Sequence, residues 1–271
     1  MVYTLSFGSV AVIVVGILAS LATVAAMRRL FPAGILRAAH DATGNMLSIV
    51  GTLYAVLLGL IVVDATVRFE RAMENVQQES NCLADIFLLA DRFPEPQLSR
   101  IQGLCRTYAE QVVEIEWPLM DRAQMSVEAR RTGLALAKAL DDFEPATEAH
   151  KIMMPMILEQ SRTFWDLRRD RANAVQFGIP TVEWVVLLVG AVVVVVFVGL
   201  FSVEHTGLQQ MLTGLAALVI GLNLYLVWLF GYPFAGDLTV SKRPFLLDIG
   251  IFAGQFQAGP AHDGEGTGRP Q

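Results

Sequence analysis

The chain has 271 residues, of which 54% are hydrophobic and only 17% charged, and its net charge is −6. Soluble globular domains carry about 25% charged residues, so this composition with its positive mean hydropathy excludes an ordinary soluble domain and indicates an integral membrane protein. A modest acidic balance reads as solvated surface and implies no nucleic-acid partner.

Crossing a hydrocarbon core of about 30 Å takes about 20 apolar helical residues. Four stretches free of Lys and Arg meet that length: residues 2–27, 44–63, 181–203 and 208–230. The first resembles a signal peptide in its small residues before Arg28. It lacks a basic leading region and its apolar run is too long, so it is expected to be a retained span. Glu183 and Trp184 open the third span, while Tyr225, Trp228 and Tyr232 close the fourth, as interfacial belts do. Arg28, Arg29 and Arg37 lie between the first two spans, and more basic residues flank the opposite ends, among them Arg68, Arg71, Arg168, Arg169 and Arg171. The positive-inside rule then places both termini and the large middle segment in the cytoplasm, where Cys82 and Cys105 are expected to be reduced.

From Ser48, alternate steps of four and three give Thr52, Ala55, Gly59, Val62, Thr66, Phe69, Met73, Val76, Ser80, Leu83, Phe87 and Ala90, with no charge on the line. An unbroken apolar seam predicts one continuous rod, ended by Phe93-Pro94-Glu95-Pro96. The small residues Gly44, Ser48, Gly51, Thr52, Ala55 and Gly59 suit close helix approach. A second helix carries Leu98, Ile101, Cys105, Tyr108, Val112, Ile115 and Leu119 on one stripe, and a third starts at Ser126 with Val127, Leu134, Ala137 and Leu140 inward. A fourth passes Pro155, Phe164 and Trp165 to the basic cluster, and Pro180 suits the first turn of the third span. The expected fold is an all-α membrane protein: four transmembrane helices and a helical cytoplasmic domain formed largely by extensions of the spans. The expected segments are a first transmembrane hairpin at 1–63, a cytoplasmic domain at 64–178, a second hairpin at 179–231, a cytoplasmic segment at 232–254 with LTVS as a short strand, and a disordered tail at 255–271.

No phosphate-binding glycine loop, zinc-protease helix or EF-hand spacing is present, and no Ser or Asp has a neighbouring His to act as its base. No enzyme activity, cofactor or metal site is expected. Asp141, Asp142 and Glu144 read as a solvated helix end. Arg168, Arg169 and Arg171 satisfy the positive-inside rule and equally suit anionic lipid headgroups. Asn223, polar within the fourth span, is expected to bond to a neighbouring helix.

Several separated motifs carry a family resemblance: Val56-Leu57-Leu58-Gly59; Val76 with Glu79; Tyr108 followed by Glu116-Trp117-Pro118; Arg168-Arg169 with Arg171; Pro180 with Trp184; and Pro233-Phe234 with Gly236. Together they resemble the bestrophin-like domain family of bacterial and plant membrane proteins, which is distantly similar to the bestrophin anion channels. The resemblance implies a homo-oligomer, a pentamer if channel-like, in the plasma membrane or bacterial inner membrane, passing inorganic anions along the second span. Carried over by position, the apolar pore neck is Thr52, Val56 and Leu60, with Arg37 and His40 at the outer mouth. The acidic calcium cluster of animal bestrophins has no counterpart after the fourth span, so calcium gating is not expected. A reading from another class is a non-conducting scaffold or sensor whose helical bundle binds a protein.

Overall fold

The computed structural model describes residues 7–38, 40–201 and 205–254. Its elements are α1 (Phe7–Leu30), α2 (Ala33–Ala38), α3 (His40–Leu89), α4 (Gln97–Gln111), α5 (Trp117–Met120), α6 (Val127–Asp141), α7 (Glu148–Gln176), α8 (Thr181–Leu200), α9 (Thr206–Gly231) and α10 (Arg243–Phe252). The apolar segments in α1, α3, α8 and α9 are long and apolar enough to cross a membrane. The first six residues, and the tail expected to be disordered, lie outside the described residues. The LTVS run forms no strand, because among the described residues no second strand stands ready to pair with it; a bond from the Val240 amide to the Pro233 carbonyl (2.8 Å) closes this turn instead.

α3 is a single helix of 50 residues, about 75 Å long at 1.5 Å per residue, and a short 3-10 turn at Ala90–Arg92 ends it before Pro94. The chain divides into two compact units, one of residues 1–74 and 172–240, the other of residues 75–171 and 241–271.

In the first unit Tyr54, Leu58 and Ala65 of α3 pack against Ile179, Leu187, Val194 and Val227. Lipid tails are as apolar as these side chains, so contact must come from close fit rather than from exclusion of water. Gly190 supplies it: a Cβ there would stand 2.5 Å from the Tyr54 ring, whose hydroxyl donates to the Leu187 carbonyl at 3.2 Å. α1 seats Val24 and Met27 against Gly199 and Ile13 against Gly221. At its end Arg28 donates to Thr206 (2.7 Å) and through Nε to Gln209 (2.8 Å). The close-approach glycines thus include Gly190 and Gly199 of α8, Gly221 of α9 and, on α3, Gly44, where a Cβ would stand 3.2 Å from the Phe201 ring, whereas Gly51 and Gly59 of α3 face open space. Asn223 donates to the Val219 carbonyl of its own helix at 2.9 Å, not to a neighbour.

The seam read from the sequence also shifts. Val76, Ser80, Leu83 and Ala90 are buried as expected, yet Thr52, Ala55 and Gly59 are exposed, and Tyr54, Leu58 and Ala65 take their place. A strict seven-residue repeat drifts about 20° per heptad from a straight α-helix. Over the length of α3 that drift amounts to about one residue, which is the offset observed.

In the second unit the Ser126 side chain accepts the Ala129 amide and caps α6, as expected. Its inward face is Ala129, Gly133, Leu136 and Leu140, while Val127 and Leu134 are exposed. On α4 Ile101, Cys105, Tyr108 and Val112 are buried, but the stripe does not continue to Ile115. A π-turn at Val112–Glu116 inserts one extra residue and turns Glu116 and Met120 inward. The cause is Pro118: its ring lacks an N–H and crowds the carbonyl of residue 114, which a wide turn accommodates.

The packing predicts opposite outcomes at two glycines. Gly190→Ala should lower stability in detergent by about 1–3 kcal/mol through overpacking against Tyr54. Gly16→Ala, with open space around it, should raise stability by about 0.5–1 kcal/mol through lower backbone entropy. Thermal melting of the two variants checks this.

Candidate functional site

The second unit buries five polar side chains together. Glu79 comes from α3, Tyr108 from α4, Glu116 from the π-turn, and Arg168 and Arg171 from α7, three residues apart on one helix face. Arg171 grips Glu79 with two parallel bonds, Nε to Oε2 at 2.6 Å and Nη2 to Oε1 at 2.9 Å. Arg168 grips Glu116 in the same way, at 2.8 and 2.7 Å. Arg171 Nη1 also reaches Glu116 Oε1 at 2.7 Å and joins the two pairs. The Tyr108 hydroxyl donates to Glu79 (2.6 Å) and accepts from Arg168 (2.6 Å), and the Ser126 amide donates to Glu116 at 3.0 Å.

Glu79, Glu116 and Arg171 have no exposed side-chain surface, and Arg168 has 5%. A planar guanidinium fork matches a carboxylate in this double-bonded form, which a lysine ammonium does not reproduce. Burial by itself pushes the Glu116 carboxyl up, but the charge of Arg171, with the bonds and charge of Arg168, more than offsets this and holds it below the usual range. Burial first, and the Glu79 carboxylate next, push the Tyr108 hydroxyl well up, so it remains a donor. With two cations and two anions the cluster is neutral, and it joins α3, α4, α7 and the start of α6. Its chemistry is that of a structural lock, with no nucleophile or free base.

The residues expected from the sequence divide among several places. Glu79, Glu116, Arg168 and Arg171 meet in the network; Arg168 and Arg171 are therefore not free for lipid headgroups. Arg169 alone of that cluster is exposed, paired with Asp166 at 3.0 Å. Trp117 packs near the Phe245 ring, with centroids 6.3 Å apart, and Pro118 is exposed. In the first unit Pro233 and Phe234 are buried, and Gly236 has φ +90, where a Cβ would also stand 2.8 Å from Trp228. Thr52, Val56 and Leu60 are exposed on one face of α3, Val56 by 58% and Leu60 by 65%. His40 stacks on Phe201 with centroids 4.4 Å apart; the side chain of Arg37 lies outside the described residues. Tyr108 and Ser126 are also members of the network, the first expected from the sequence as a stripe residue and part of the family motif, the second only as a helix cap.

An apolar cavity of about 770 Å³ lies between α1, α8 and α9, lined by Gly16, Ser20, Leu188, Val192, Gly221 and Trp228 among others. Among the described residues no three His, Cys, Asp or Glu side chains come together as a metal site.

The fold defines an all-α membrane protein with four long apolar helices. The chain belongs to the bestrophin-like domain family, whose profile matches residues 14–245. In fold it is similar to a crystal structure of a bacterial bestrophin homologue from Klebsiella pneumoniae, at a TM-score of 0.65 and 11% identity, covering 92% of this chain and 100% of that one. A mutant of that homologue gives a TM-score of 0.67 at 11% identity, covering 90% and 99%. A mutant of a protein described as a membrane protein gives 0.66 at 12% identity, covering 89% and 98%. No curated protein matches the chain.

Glu116→Gln would leave two buried guanidinium groups facing one carboxylate. It should cost about 3–5 kcal/mol, read from thermal or denaturant unfolding in nanodiscs. Because the folded state holds the Glu116 carboxyl low, its contribution is present above the unfolded value and is lost as pH falls through the folded one. The acid limb of the stability curve below about pH 4.5 should therefore flatten in Glu116→Gln.

Proposed function

We propose that the chain assembles into a bestrophin-type ion channel that passes anions through a pore lined by α3. Membership of the bestrophin-like family carries this reading, and the bestrophin fold supports it; channels of this kind are not enzymes. The division of faces on α3 supports it further. Tyr54, Leu58 and Ala65 bind the helix to its own chain, which leaves Thr52, Val56 and Leu60 on a face exposed among the described residues. A helix that lines a pore needs both faces, one for its own subunit and one for the axis.

In this reading the subunits form a pentamer in the plasma membrane or bacterial inner membrane, with the termini and the segment 64–178 in the cytoplasm. Val56 and Leu60 form an apolar neck, with Thr52 on the same stripe. Such a constriction conducts when it widens enough to stay wet. At the outer mouth, which Arg37 and His40 flank, the Arg37 charge raises the local anion concentration, an effect that salt screens.

Purified protein in planar bilayers should carry an anion-selective current. Replacing both Val56 and Leu60 by Ala should enlarge that current several-fold, because a wider and less apolar neck is less prone to dewet. No current from the native protein, or a current unchanged by the double replacement, would remove the pore from this account.

A further inference from the structure

The C-terminal helix α10 closes one face of the second unit and is held at three points. Phe245, fully buried, packs near Tyr108 and lies beneath Arg171, whose guanidinium carbon is 5.9 Å from the ring centroid. Phe252 stacks on Phe87 with centroids 4.2 Å apart, and its carbonyl accepts from Arg106. Between them Asp248, only 5% exposed, accepts a 2.5 Å bond from the Ser80 hydroxyl of α3. Among the described residues no basic side chain forms an ion pair with it. The charged and titratable groups around it do not compensate. Asp85 on α3 adds negative charge, and Cys105 on α4 is a buried thiol that its own burial keeps neutral. Arg106 on α4 is committed to the Phe252 carbonyl, and Glu79, Glu116, Arg168 and Arg171 neutralise one another. Lys242 and Arg243 sit at the start of α10.

We infer that α10 is a proton-operated latch on this unit, holding more tightly when the Asp248 carboxyl carries a proton and releasing more readily when that carboxyl is charged. A buried carboxylate without a cation is unfavourable, whereas a buried carboxylic acid bonded to a hydroxyl is not. Burial pushes the Asp248 carboxyl from 3.8 to about 6; the Ser80 bond opposes this and Asp85 adds to it. Released into water, the same group returns to about 4. The docked state therefore favours the proton: the grip is full below about pH 4, weakens as pH rises to about 6, and stays weaker above. Two units correspond to a limit of about a hundredfold, and the interval from pH 7.5 to 5 to about tenfold. A ten-residue helix is not stable once released, so opening exposes its amides to exchange.

Hydrogen exchange of the full chain in nanodiscs tests this, with rates corrected for their intrinsic pH dependence and α4 as the internal reference. Protection of residues 243–252 should rise about tenfold relative to α4 from pH 7.5 to 5. Asp248→Asn should be strongly protected and independent of pH. Ser80→Ala, which removes the hydroxyl bonded to the carboxyl and little else, should move the midpoint to higher pH and decides the matter if Asp248→Asn does not fold. Flat protection in the native protein, the same rise in Asp248→Asn, or an unmoved midpoint in Ser80→Ala would overturn the latch.

Discussion

The helical unit depends on one constraint, that two arginines and two glutamates are neutral together and strongly unfavourable apart. Desolvating an ion costs several kcal/mol even after relaxation, and only near-ideal geometry offsets it. Here the geometry is two guanidinium forks on two carboxylates, linked by Arg171 and completed by Tyr108 and the Ser126 amide. Such a cluster tolerates little displacement, because a shift that opens one pair leaves a buried charge. It fixes α7 by two residues one helical turn apart, and it fixes α3 and α4 to the same turn of α7. The π-turn before Trp117 belongs to the same constraint, since a regular helix would present Ile115 rather than Glu116 to the arginines.

This accounts for a family pattern that is scattered along the chain. Glu79 and Arg171 are 92 residues apart in sequence and meet at 2.6 Å. Glu116 and Arg168 are 52 apart and meet at 2.7 Å. The Glu-Trp-Pro triplet combines three jobs: Glu116 enters the network, Trp117 packs toward α10, and Pro118 makes the wide turn necessary.

The spans, the continuous α3, the Ser126 cap and the helix ends before prolines were legible because each depends on local chemistry. The network was not, although a signal existed. Ser161, Phe164, Arg168 and Arg171 share one buried face of α7, so two arginines lie on an apolar stripe, where topology signals are not needed. Nearness to the third span marks them as a membrane-proximal basic cluster, but their phase on α7 turns Arg168 and Arg171 inward. The stripe on α3 failed for a different reason: a coiled-coil repeat and a straight helix agree locally and diverge over fifty residues. The corrected phase is what separates the packed face of α3 from the exposed face through Thr52, Val56 and Leu60.

A double-mutant cycle on Glu79 and Arg171 tests the lock most directly. Glu79→Met leaves an unbalanced buried cation and Arg171→Met an unbalanced buried anion, while the double variant leaves Arg168 and Glu116 as a neutral pair. Unfolding free energies measured in nanodiscs should therefore show each single variant weakened by about 3–5 kcal/mol and the double variant more stable than either single one. Losses that simply add, within about 0.5 kcal/mol, would show that the two residues act independently and that the buried charges do not hold this unit together.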